Sequence, residues 1–116
     1  MILGIVMGAM SLSGCYYDTE EELYSQVTCD TSNVTYSGTV KPMIEQYCTS
    51  CHSGAQASGG IDLTTYVSVK LQADNGSLYG AVAHLDGFQP MPQGGKLSDC
   101  DILKMKTWVD ANAPQN

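Results

Sequence analysis

Arginine is missing from this chain of 116 residues and lysine is scarce, so five basic side chains face twelve acidic ones and the formal charge is −7. With no basic stripe to lay along a phosphate backbone, nucleic acid is excluded as a partner. Apolar runs are short: the longest, from Ile2 to Leu12, falls well below the roughly 20 residues of a bilayer-spanning helix. No internal repeat or low-complexity segment is visible, and Trp and Phe are scarce, one of each beside seven Tyr. A chain of this length makes one small domain with a modest core, which usually needs a staple. At 43% hydrophobic and 15% charged it is nonetheless not compositionally disordered. What the sequence does have is cysteine. Five of them are too many for a reducing compartment unless they hold metal or do chemistry, and an odd number cannot all pair.

Residues 1–14, MILGIVMGAMSLSG, carry no charged side chain and have the length of a signal-peptide apolar region ending in small residues. Leu12-Ser13-Gly14-Cys15 resembles the lipobox of bacterial lipoproteins, which implies acylation of Cys15 after removal of residues 1–14. Each buried CH₂ contributes roughly 0.8 kcal/mol, so several acyl chains anchor a protein to a membrane. One departure is that only the Met1 amine is positive in this region. Residues 15–35 read as a disordered tether, extended by the self-repulsion of Asp18, Glu20, Glu21 and Glu22. Such an acidic run after the anchor also resembles surface-export signals in lipoproteins of the Bacteroidota. The expected location is the bacterial cell envelope, at the outer membrane or a periplasm-facing membrane.

The folded part is expected from about Cys29 to Pro114, with the domain proper over residues 36–114. Val40, Met43, Ile44 and Tyr47 fall on one face of a helix, with Ser37 or Thr39 as cap and Pro42 tolerable in the first turn. Leu78, Ala81, Val82 and Leu85 repeat the spacing, with Ser77 as N-cap after the turn signal Asn75-Gly76. A third helix opens at Ser98 in a weak capping box with Asp101, presents Ile102, Met105 and Val109, and is stopped by Pro114. Residues 61–71 are ambiguous: Ile61, Leu63, Val67, Val69 and Leu71 alternate as in a strand, while Thr64 could cap a short helix. The architecture reads as all-α.

Cys48-Thr49-Ser50-Cys51-His52 is the strongest signal in the chain. Two thiols spaced C-x-x-C form thioethers with the vinyl groups of a haem, and the adjacent His52 becomes the proximal ligand to its iron. A redox disulfide would want a βαβ context, and zinc a second ligand pair at finger-like spacing; neither is present. The expected cofactor is therefore one covalently attached haem c. For the sixth position Met91 ranks first: Pro90 and Pro92 restrict the backbone around it, and it lies on no helical stripe. Met43 and Met105, at helical core spacing, read as core filler. His84, the only other histidine, is the rival, and an open or water-bound site comes third.

Residues 48–52, the Gly59-Gly60-Ile61-Asp62-Leu63 run, the Met91-Pro92 loop followed by Leu97-Ser98, and the Trp108-Val109 helix end resemble a small class I cytochrome c domain. More narrowly, they are similar to the monohaem cytochrome lipoproteins of Bacteroidota, over about residues 29–114 plus the lipobox. The resemblance implies a cytochrome c-like helical domain around one haem, with Cys48 and Cys51 as attachment points and His52 and Met91 as axial ligands. It also implies that the first and last helices cross, with Ile44 or Tyr47 meeting Trp108 or Val109. Where many such proteins have a proline soon after the haem histidine, this chain has none, so the carbonyl that orients His52 is not identified.

Setting aside Cys15, Cys48 and Cys51 leaves Cys29 and Cys100, expected to pair in an oxidising compartment and to contribute roughly 4 kcal/mol by constraining the unfolded chain. The functional expectation is a membrane-tethered electron carrier, not an enzyme in itself, though able to serve as subunit of or donor to one. Its redox partner is not readable from the sequence. The alternatives are a haem-based ligand-binding or sensing module, or a haem-stabilised component of a surface assembly.

Overall fold

Thr35 starts the first helix. A computed structural model describes residues 29–116; the signal, Cys15 and the acidic run 18–22 lie outside the described residues. Extended backbone at Thr35 lets its hydroxyl accept the Gly38 N–H at 3.0 Å, satisfying one of the orphan donors of a helix start. The cap therefore precedes the expected Ser37 or Thr39. The reason is a wide turn over Tyr36–Val40, in which the Val40 N–H reaches back to the Thr35 carbonyl at 3.1 Å. The turn runs directly into helix α1, Lys41–Tyr47, with Pro42 in its first turn as expected. The Tyr36 and Ser37 N–H groups donate to the side-chain and backbone oxygens of Asn116, each at 2.8 Å.

Residues 61–71 resolve as a loop followed by helix α2, Tyr66–Asp74. Thr65 rather than Thr64 caps it, accepting the Ser68 N–H at 3.3 Å, because Thr64 is engaged with Asp62 through both its N–H and its hydroxyl. The strand-like alternation misleads. Val69 and Ala73, four apart, face the core, while Val67 and Leu71 are 77% and 61% exposed.

Helix α3, Ser77–Val82, follows the left-handed Gly76 (φ 84°). Ser77 is its first residue rather than its cap, and its N–H donates to the Asn75 side chain at 2.9 Å. The helix ends before Leu85, because His84 turns left-handed (φ 55°). Leu85 therefore leaves the apolar stripe and is exposed.

Helix α4, Asp99–Asp110, opens as expected, with the Ser98 hydroxyl accepting the Asp101 N–H at 3.1 Å. Asp99 and Asp101 complement the positive end of its dipole. Its end is made upstream of Pro114: left-handed Asn112 and Ala113 reverse the chain, and the Ala113 N–H donates to the Trp108 carbonyl at 3.0 Å.

All the elements among the described residues are helical. The core gathers on the Tyr36 ring, which stacks on Trp108 at 5.7 Å and meets Tyr66 edge-on at 5.1 Å. Geometries of this kind add about 0.5–1.5 kcal/mol beyond area burial. Both polar tips are satisfied: Tyr66 donates to the Ala113 carbonyl at 2.8 Å and Trp108 Nε1 to that of Pro114 at 2.9 Å. Val40, Ile44, Val69 and Met105 pack around the rings, fully buried. The contact between the first and last helical segments thus runs through Tyr36, ahead of the Ile44 or Tyr47 expected from the resemblance. Cys29 and Cys100, 71 residues apart, are joined by a disulfide with Cα atoms 5.4 Å apart, which draws residues 29–35 onto α4.

Candidate functional site: a cavity walled by two loops

At the end of α1 the Cys48 N–H still reaches the Ile44 carbonyl at 2.8 Å, and the Cys51 and His52 N–H groups then both turn back to the Cys48 carbonyl at 3.2 and 2.9 Å. This tight turn puts the two thiols and the imidazole on one short piece of backbone. Both cysteines are free; Cys48 is half-buried and Cys51 exposed. Burial pushes the Cys48 thiol up from its ordinary value, opposite to the shift that activates a Cys-x-x-Cys redox pair.

His52 is fixed by the loop that follows. Its Nδ1–H donates to the Ile61 carbonyl at 2.9 Å. A carbonyl only accepts, so the neutral ring carries its proton on Nδ1 and its lone pair on Nε2. The loop is sewn back by the Ser58 N–H to the Cys51 carbonyl and the Leu63 N–H to the His52 carbonyl, both at 2.8 Å. Gly59 and Gly60 make the return possible, with φ of 63° and 72°. Next to Ile61, the Thr64 hydroxyl and backbone N–H bond the Asp62 carboxyl and hold it below the usual carboxylate range.

The second wall comes from residues 80–93. The Phe88 ring lies on Gly80, where a Cβ would fall 2.5 Å from the ring. The Leu85 N–H donates to the Gly80 carbonyl at 2.9 Å and the Met91 N–H to the Ala81 carbonyl at 3.0 Å. His84 Nε2–H donates to the Met91 carbonyl at 3.3 Å. Met91 sits between Pro90 and a cis Met91–Pro92 peptide.

Between these walls is a cavity of about 440 Å³, within the range of roughly 300–1,000 Å³ typical of ligand pockets. Cys48, Cys51, His52 and Met91 all line it, in a largely apolar setting that includes Ile61, Leu78 and Phe88. The residues singled out from the sequence therefore converge on one space, although 39 positions separate His52 from Met91. His84 is not in the lining, and Met43 and Met105 are core residues. Two thiols, an imidazole nitrogen and a thioether are donors suited to a transition metal. Among the described residues no group of three or more His, Cys, Asp or Glu side chains gathers as a metal-binding cluster.

Two functional contacts escaped the sequence reading. The Ile61 carbonyl accepts the His52 Nδ1–H; Gly59-Gly60, just before it, was its only local signal. The hold of His84 on Met91 had no signal, since a side chain bonding a carbonyl seven residues on leaves no pattern. Among the described residues no helix is long and apolar enough to cross a membrane. Compared with known proteins, the chain matches no family model, and no curated protein or solved structure is significantly similar to it.

Proposed function

We propose that this chain is a cytochrome c-like electron carrier, with one covalently attached haem, tethered to a bacterial envelope membrane by lipid on Cys15. The observation that carries the reading is the convergence of Cys48, Cys51, His52 and Met91 on one apolar cavity whose histidine is already oriented for ligation. The residues fit the group. Cys48 and Cys51 would hold it through thioethers, and His52 and Met91 would supply the axial ligands.

When bound, haem supplies a one-electron iron couple, whose potential a thioether ligand raises relative to a second imidazole. The chain's own part is to hold its side chains still. The Nδ1–H bond to Ile61 keeps His52 in the ligating tautomer and fixes its ring orientation. Ile61, Leu78 and Phe88 give the cavity an apolar lining, and the bonds at Ala81 and His84 fix the Met91 backbone on both sides. With His52 and Met91 both serving as ligands, no substrate position would remain on the group, so no catalytic residue is assigned. Its counterpart is a redox partner protein.

Visible spectra of the purified protein, oxidised and reduced, test the proposal. Haem should stay with the chain after denaturation, be lost in the Cys48→Ser, Cys51→Ser double variant, and give a sulfur-to-iron charge-transfer band that Met91→Ala abolishes. Rapid, complete carbon monoxide binding to the reduced protein at neutral pH would overturn the carrier reading in favour of ligand sensing.

A further inference from the structure

We infer that His84 is a positioning residue for Met91, holding its backbone so that the thioether stays directed to the cavity. The inference rests on the haem reading above. The end of α3 grips Met91 at both of its peptide groups: the Ala81 carbonyl accepts its N–H at 3.0 Å, and His84 Nε2–H donates to its carbonyl at 3.3 Å. These two bonds and the Phe88 ring on Gly80 tie the loop back to the helix. Without His84 the Met91 carbonyl has no partner among the described residues, and residues 92–95, with left-handed Gly94, make one long backbone bond, 3.4 Å from the Gly95 N–H to the Pro92 carbonyl, before Leu97 is buried in the core.

The backbone at His84 supports a dedicated role. A φ of 55° is uncommon for a residue with a side chain, though His and Asn adopt it several-fold more often than most. Just before the left-handed turn the His84 N–H meets the Ala81 carbonyl at 3.3 Å, the same carbonyl that takes the Met91 N–H. One helix end thus serves both the turn and the ligand loop. A histidine engaged in this way, and absent from the cavity lining, acts through Met91 rather than competing with it.

Two substitutions separate the hydrogen bond from the turn. His84→Asn keeps a residue that tolerates the left-handed backbone, but its amide ends at the depth of Nδ1 and falls short of Met91. His84→Gln carries an amide N–H at the depth of Nε2 and keeps the donor. The probe is imidazole, titrated into the oxidised holoprotein and read by loss of the charge-transfer band, since it enters only as Met91 leaves. His84→Asn should bind imidazole about five- to tenfold more tightly, the size of one ordinary hydrogen bond, and His84→Gln within about twofold of the parent. Amide exchange at Met91 should quicken by a similar factor in His84→Asn, a readout that needs no iron. Equal imidazole affinity in His84→Asn and the parent, or an equal rise in both variants, would overturn the proposal. A band that survives Met91→Ala would remove the ligand reading itself, and this inference with it.

Discussion

The two ends of the domain are built on different principles. At one, Tyr36, Tyr66 and Trp108 pack ring against ring, and the polar tips of Tyr66 and Trp108 bond backbone carbonyls. At the other, residues 48–63 and 80–93 wall a cavity, held by backbone hydrogen bonds and glycine turns, with Phe88 38% exposed. The first end draws its stability from side-chain burial. The second derives its shape from local bonds that aim particular atoms, and it leaves room for a ligand where a core would otherwise be. The difference teaches that a small domain can confine its packing to one end and leave the other free for a site.

That contrast can be broken at either end. The largest effect should come from Trp108→Ala, which empties the most buried large side chain and orphans the Pro114 carbonyl. It should cost about 3–5 kcal/mol in denaturant unfolding; a loss below about 2 kcal/mol would mean that the aromatic end does not dominate stability. Gly80→Ala tests the cavity end. Its Cβ must displace the Phe88 ring, a strain of about 1–3 kcal/mol partly offset by about 1 kcal/mol of helix propensity. Global stability should therefore move little while the Met91 charge-transfer band weakens. A band unchanged alongside a large stability loss would reverse the roles of the two ends.

The smallest effect is electrostatic. The hydrogen bonds from Thr64 depress the folded-state pKa of Asp62 below its ordinary value near 3.8. A depressed carboxylate contributes stability that is present above its unfolded pKa and fades as pH falls through the folded one. Asp62 is only partly buried, so the effect should be local: below about pH 4, the Leu63 amide, whose N–H bonds the His52 carbonyl, should lose protection against exchange. Asp62→Asn should flatten that dependence, and an identical acid profile in the variant would exclude Asp62 as its origin.

Much of the helix packing was legible in the residues, though not the gathering of Tyr36 and Tyr66 on Trp108. The stripe Val40, Met43, Ile44 and Tyr47, running from the wide turn into α1, and the Ser98 cap of α4 follow from local rules, and three of the four stripe residues are buried. The misreadings lie where a turn intervened. Leu85 left its stripe because His84 adopts a left-handed φ, and α2 hid behind an alternation whose exposed members, Val67 and Leu71, pack on nothing. At the site, the sequence identified the donors but not what orients them, since Ile61 and Ala81 act through backbone carbonyls that any residue carries.

By itself, then, the sequence determined the helical class of residues 29–116, and the residue types that make haem the best reading of Cys48, Cys51, His52 and Met91, because periodicity and motif spacing are local properties of the chain. Only the tertiary structure decided that those four share one cavity, that Ile61 sets the His52 tautomer, and that His84 bonds Met91 instead of lining the site. Each of these is a contact between distant positions, made by backbone atoms common to every residue or by a side chain whose reach depends on one turn angle, and neither leaves a mark in the order of the amino acids.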